Sequence, residues 1–194
     1  HIKAASASAA QEQNDSILEK ILASPGDTGF RIVARACELL HRLGRSHETT
    51  HLSTLLADKA DPSDPLCGKY LLRAGRLTLA GGDLKAAGRY LKKAQKLIRK
   101  SGPPVLLQAC LRAMSDLESE TGRPRKALLW LEKALQEGAQ PSVRIEFLLR
   151  KAELHLLLQQ NELQIETLDR ALDIAQQIGD HERLSDLSLS RGIA

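Results

Sequence analysis

Aromatic side chains are nearly missing from this chain: two Phe, two Tyr and one Trp make up 3% of its 194 residues. Strands and their cores draw on aromatic and β-branched residues, so this scarcity argues against a β fold. Long apolar runs are missing too. None approaches the roughly 20 residues that a membrane-crossing helix needs. Residues 1–10, HIKAASASAA, lack the leucine-rich segment of a secretory signal. Cys37, Cys67 and Cys110 are odd in number and far apart, with no CxxC pair. That argues against a disulfide framework and points to a reducing, intracellular and cytoplasmic setting; each cysteine falls in a helical stretch, two of them on apolar faces, where a buried, inert thiol is the ordinary reading. Charge of a single sign is absent as well: 28 Lys and Arg face 24 Asp and Glu, for a net +4. Such a balance permits acidic partners without demanding nucleic acid. No Gly-rich phosphate loop, Ser/His/Asp set or carboxylate pair is recognisable. Gly81-Gly82-Asp83 is a turn and cap, because no Lys-Ser/Thr follows it.

What is abundant is Leu, Ala and mixed charge, the composition of amphipathic helices. Residues 1–11 read as a linker or cloning remnant, and 12–194 as one helical array. The chain begins on His1 and stops at Ala194 within an expected helix, as a piece of a longer protein would. The spacing predicts a short leading helix over 12–22, broken by Ser24-Pro25-Gly26-Asp27. Phe30–Leu43 carries Ile32, Val33, Ala36, Leu39, Leu40 and Leu43 as one broad apolar face. Ser46 is the expected cap of His47–Lys59. Pro65 opens a helix that ends at Gly81-Gly82, and Asp83 caps Leu84–Lys100. Val105–Thr121, Pro124–Glu137, Val143–Gln159, Glu162–Ile178 and His181–Ser190 follow. Two- to six-residue connections make neighbours antiparallel, giving four pairs between a leading and a trailing helix.

The pairs repeat one another. Ala74–Leu97 reads AGRLTLAGGDLKAAGRYLKKAQKL, and Met114–Glu137 reads MSDLESETGRPRKALLWLEKALQE; Lys151–Ala175 is a weaker copy. Small residues mark the helix crossings: Ala74, Gly75, Ala87 and Ala94 in one pair, Ser115, Ala127 and Ala134 in the next. Leu71, Leu84, Leu91 and Leu97 fill the flanks of the first of these pairs, and Leu111, Leu128 and Leu131 those of the second. Ala152 and Ala171 continue the series, but Gln164 replaces a small residue. Cys37 and Leu56 make the first pair the poorest match. Trp130 reads as core, and Tyr70 and Tyr90 as presenting hydroxyls at the surface.

These residues resemble the tetratricopeptide repeat family over about 28–190, in four units. The helices are longer than the family's roughly 34-residue unit allows, and the usual first-helix Trp and Tyr are absent. Repeats of this length are similar to those of MalT-like ATP-dependent transcription activators, peptide-sensing bacterial regulators and large scaffolds. The resemblance implies an all-α, right-handed superhelix of about four hairpins plus flanking helices. In that family the first helix of each pair lines a groove for partner peptides. Carried over residue by residue, the groove would comprise Lys69, Leu72, Arg73, Arg76 and Leu79, then Arg112, Asp116 and Ser119, then Glu146, Leu149 and Glu153. Arginine forks there would bind an acidic or C-terminal-carboxylate peptide. The asparagines with which the chaperone-binding subclass holds a terminal carboxylate are missing.

Two further motifs compete with a plain surface reading. His47-Glu48-Thr49-Thr50-His51 matches HExxH, in which two histidines on one helical face bind zinc and the glutamate is the general base. It sits at a helix start, and no third ligand follows at metallopeptidase spacing. Lys92, Lys93, Lys96, Arg99 and Lys100, joined by Lys85 and Arg89, form a basic run without interleaved aromatics, so a solvated face is expected there and nucleic acid is not. The expectation is a non-catalytic adaptor or scaffold module that binds a protein or peptide without metal or cofactor, and can self-associate through its end repeats. The alternatives are the sensor region of a MalT-like or peptide-sensing transcription regulator, and a zinc metallopeptidase on His47, Glu48 and His51.

Overall fold

The computed structural model describes Lys20 and residues 28–193. The expected linker over 1–11 and, apart from Lys20, the leading helix over 12–22 lie outside the described residues. Among the described residues nine helices follow in order: α1 Thr28–Arg42, α2 Ser46–Lys59, α3 Cys67–Ala80, α4 Leu84–Ser101, α5 Pro104–Glu120, α6 Pro124–Gln136, α7 Pro141–Leu157, α8 Asn161–Ile178 and α9 His181–Ile193. The described residues include no strand. Each helix packs on its neighbours in sequence, most closely within the pairs α3/α4, α5/α6 and α7/α8. First helices of successive pairs also touch, α3 against α5. The result is an all-α solenoid of four hairpins followed by α9.

Local chemistry places the boundaries. Asp83 caps α4 by accepting a hydrogen bond from the Ala86 N–H at 2.9 Å. Pro104, Pro124 and Pro141 occupy the first turns of α5, α6 and α7, where a missing N–H costs nothing. Two expected starts shift. Ser46 is the first residue of α2 and Arg45 precedes it without a side-chain cap bond. Pro65 lies in the turn before α3, where Asp64 Oδ1 accepts the Leu66 N–H at 2.7 Å.

The hairpins share one register. Cys37 and Thr49, Gly75 and Ala87, Ser115 and Ala127, and Ala152 and Gln164 are each twelve residues apart, and all eight are buried. Seven residues beyond the second member stand Leu56, Ala94, Ala134 and Ala171, again buried. Among the glycines, the least room is in the α3/α4 pair, where a methyl added to Gly75 would stand 2.7 Å from Leu91 Cγ. A side chain of one carbon or none at these crossings lets the helix backbones nest. Gln164 fits only by burying its amide, whose Oε1 has no hydrogen-bond partner among the described residues.

The first hairpin departs from its expected pattern. Val33 and Cys37 are buried with Leu52 and Leu56, and Leu40 packs beside them. Ile32, Leu39 and Leu43 face outward, with Leu43 73% exposed. The crossing here is polar: Cys37 Sγ and Ser53 Oγ share a hydrogen bond at 2.7 Å. Tyr70 and Tyr90 are also buried rather than surface-facing. Tyr90 donates its hydroxyl to Asp58 Oδ2 at 2.9 Å and so ties α4 to α2. Trp130 is half-buried between two hairpin cores, with Lys133 Nζ 4.5 Å from its ring centroid.

Candidate functional site

The face built from α3, α5 and α7 carries two adjoining recesses. One of about 450 Å³ is lined by Arg76, Leu79, Ala80, Gly82, Ala113, Asp116, Glu120 and Arg150. The other, about 500 Å³, is lined by Arg76, Val105, Gln108, Ala109, Arg112, Ala113, Asp116, Gln140, Val143, Glu146 and Phe147. Arg76, Ala113 and Asp116 belong to both, so the recesses form a continuous trough across three first helices.

The groove residues implied by the resemblance divide accordingly. Arg76, Leu79, Arg112, Asp116 and Glu146 line the trough. Lys69 is exposed and Arg73 half-buried on α3, outside both recesses, and Ser119 is half-buried near the end of α5. Leu72 is 5% exposed and belongs to the core, and Leu149 packs against the α7–α9 core. Glu153 is exposed on α7.

Several of these charges are already committed. Arg112 Nη1 lies 2.6 Å from Glu146 Oε2, and Arg150 Nε lies 3.0 Å from Asp116 Oδ1. Arg150 Nη1 also reaches Glu153 Oε2 at 2.7 Å. On the far side of Glu146, Arg183 of α9 approaches its Oε1 at 3.4 Å and donates to the Ser142 carbonyl at 2.7 Å. Burial works against the charge on Arg150, but the Glu153 and Asp116 carboxylates outweigh it and hold its pKa above the ordinary value. The α3 cations differ. Among the described residues no ion pair joins Lys69, Arg73 or Arg76. Of the arginines lining the trough, Arg76 is the one with no carboxylate partner among the described residues. Arg150, Arg183, Gln108 and Phe147 were not anticipated from the sequence. The opposed pattern of Arg112 and Asp116 on α5 against Glu146 and Arg150 on α7 is the signal that could have found Arg150.

The HExxH residues form no comparable site. His47 is exposed in the first turn of α2. The Glu48 carboxylate is engaged by Arg45, which donates from Nε at 2.9 Å. A hydrogen bond from its own backbone N–H, followed by the Arg45 contact, holds its pKa below the usual carboxylate value. A general base for water activation needs the opposite shift. Among the described residues no three His, Cys, Asp or Glu side chains come together as a metal-holding group. All three thiols are buried and free, and burial pushes Cys110 up to about 12. No helix among the described residues is long and apolar enough to cross a membrane.

Four hairpins in one register, with first helices aligned along a trough, define a tetratricopeptide-repeat-like helical solenoid. No protein-family model and no curated protein matches the chain. Among solved structures, it resembles a Signal Transduction ATPase with Numerous Domains from Pyrococcus horikoshii, described as having a tetratricopeptide repeat sensor. The TM-score is 0.74 at 16% identity, over 91% of this chain and 28% of that one. BtubC (BKLC) of P. vanneervenii aligns with a TM-score of 0.56 at 19% identity, over 91% of this chain and 65% of that protein. The chain thus spans less than two thirds of either, and at these identities the likeness establishes the fold.

Proposed function

We propose that this solenoid is a non-catalytic interaction module that binds an acidic protein segment along the trough of α3, α5 and α7. The observation that carries this reading is Arg76, which lines both recesses and has no ion-pair partner among the described residues. Lys69 and Arg73 extend its positive field along α3, while Leu79, Val105 and Phe147 supply apolar wall. A guanidinium beside apolar surface is the arrangement that favours a carboxylate over water. The helices of the trough are packed before any ligand arrives, so only the bound segment pays for ordering.

Selection from a displayed random-peptide library tests the reading. Enriched peptides should be acidic, and Arg76→Glu should abolish their binding while the helical circular dichroism stays unchanged. Enrichment without acidic bias, or equal binding by the variant, would refute it.

A sensor reading is favoured by one finding, the likeness to the ATPase of Pyrococcus horikoshii described as having a tetratricopeptide repeat sensor. In that case the same trough receives an effector, and the bound state shifts packing between hairpins for other domains to read. Finding a nucleotide-hydrolysing module in the full-length chain would favour it.

A further inference from the structure

The second helix of the second hairpin, α4, presents Lys85, Arg89, Lys92, Lys93, Lys96, Arg99 and Lys100, all exposed. At 3.6 residues per turn these seven cations fall within an arc of about 120°, and Lys85 to Lys100 spans roughly 22 Å. The opposite arc holds Ala87, Leu91, Ala94 and Ile98, all buried, so the helix is firmly seated with its charged side outward. No acidic residue interrupts the helix.

Among the described residues no ion pair involves any of the seven, whereas Arg112, Arg123, Arg150, Arg183 and Arg191 each have a carboxylate. Two acids beside the ridge share a cleft with Arg89, but Asp58 accepts the Tyr90 hydroxyl and Asp83 caps the helix. Lys85–Arg89, Arg89–Lys93, Lys92–Lys96 and Lys96–Lys100 are like-charge pairs four residues apart, an arrangement that destabilises a helix. The helix dipole offsets this only in the last turn, at Arg99 and Lys100. A row of uncompensated cations is relieved by a polyanion.

We propose that this outer ridge of α4 binds the phosphate backbone of a nucleic-acid duplex without reading its sequence. Charge density selects the occupant. Seven cations over roughly 22 Å suit a duplex, which with both strands counted carries one phosphate charge per about 1.7 Å of its axis. An extended acidic peptide presents same-side carboxylates only about every 6.6 Å. A folded protein partner would need an apolar or aromatic centre, and interfaces are depleted in lysine. The ridge has five lysines and no exposed aromatic; Tyr90, the helix's one aromatic, is buried. That also removes the stacking platform on which single strands depend. The apolar side of α4 is occupied by the core, leaving nothing to insert into a bilayer.

Fluorescence anisotropy tests this, with a labelled mixed-sequence DNA duplex of about 20 base pairs, long enough to cover the ridge. The duplex should bind at low salt, and affinity should fall on the order of 10²-fold between about 50 and 200 mM salt, as expected for four to five phosphate contacts. Lys92→Gln/Lys96→Gln/Lys100→Gln should weaken binding and flatten the salt slope by about 3. Lys85→Gln/Arg89→Gln/Lys93→Gln should do the same, and Arg76→Glu, on the other face, should leave binding unchanged. The proposal is overturned if the duplex does not bind, if both triple variants bind as the parent does, or if polyglutamate or phosphatidylserine vesicles bind as tightly as the duplex.

Discussion

Arg150 of α7 donates its Nε–H to Asp116 Oδ1 of α5 at 3.0 Å, and four residues earlier on both helices Arg112 and Glu146 make the same bridge with the charges reversed. The two rungs are complementary only in this alignment, since a one-turn slip would oppose like charges. We therefore expect the rungs to specify how the third hairpin stacks on the fourth. A double-mutant cycle with Asp116→Ala and Arg150→Ala should give a coupling of about 0.5–1 kcal/mol, the upper range for partly exposed pairs. Denaturant melts at rising ionic strength should show the coupling shrink. A salt-independent coupling would assign it to packing instead.

Gly75 has no room for a side chain. A methyl group there would sit 2.7 Å from both Cγ and Cδ2 of Leu91, itself fully buried. Gly75→Ala should thus lower stability by about 1–3 kcal/mol despite alanine's better helix propensity. Thermal melting would detect this as a lower Tm. A raised Tm would mean the α3/α4 crossing relaxes freely.

Gln159 adopts φ +57° in the turn between α7 and α8, where the corresponding turns carry Gly82 at +82° and Gly122 at +72°. A side chain in the left-handed region is strained, whereas glycine accepts it at an entropic cost in the unfolded chain. Gln159→Gly should stabilise the protein by up to about 1 kcal/mol, and Gly122→Ala should destabilise it by a similar amount. Opposite signs in paired chemical denaturation curves are the expected result.

Tyr90 is buried with its hydroxyl on Asp58, and burial, then that hydrogen bond and the carboxylate charge, push its pKa up to about 12. Ionisation is therefore easier in the unfolded chain, where tyrosine titrates near 10. The stability that this tyrosine contributes is complete below about pH 10 and is lost as pH climbs from there through about 12. Ultraviolet titration should resolve a late-ionising tyrosine that disappears in Tyr90→Phe, and the variant's stability should fall less steeply over that interval.

Helix order and hairpin pairing were legible because Gly and Pro punctuate the chain and small residues recur at crossing positions. Gly75, Ala87, Ser115 and Ala127 carry that signal in their spacing alone. The first hairpin was less legible. Periodicity assigned Ile32, Leu39 and Leu43 to the packed face, yet a crossing of Cys37, Thr49 and Ser53 rotates the burial toward Val33 and Leu40. The burial of Tyr90 is not legible in its own helix, because its partner, Asp58, lies in the preceding hairpin. The bridges of Arg112 to Glu146 and of Arg150 to Asp116 are hidden in the sequence for a related reason. They join residues 34 positions apart, while the crossings Ser115 and Ala152 recur after 37. That offset of nearly one turn arises from how hairpins stack, which no single helix encodes.

Glu146 divides its carboxylate between two neighbours, one oxygen toward Arg112 and the other toward Arg183. The third hairpin, the fourth and the terminal helix are therefore stitched along one edge through a single side chain. Prying that edge apart stretches two charged contacts in series, and an anionic visitor that captured Arg112 would leave Glu146 with Arg183 as its sole tether. A contact made on α5 would thereby change the restraint on α9, four helices further along the chain.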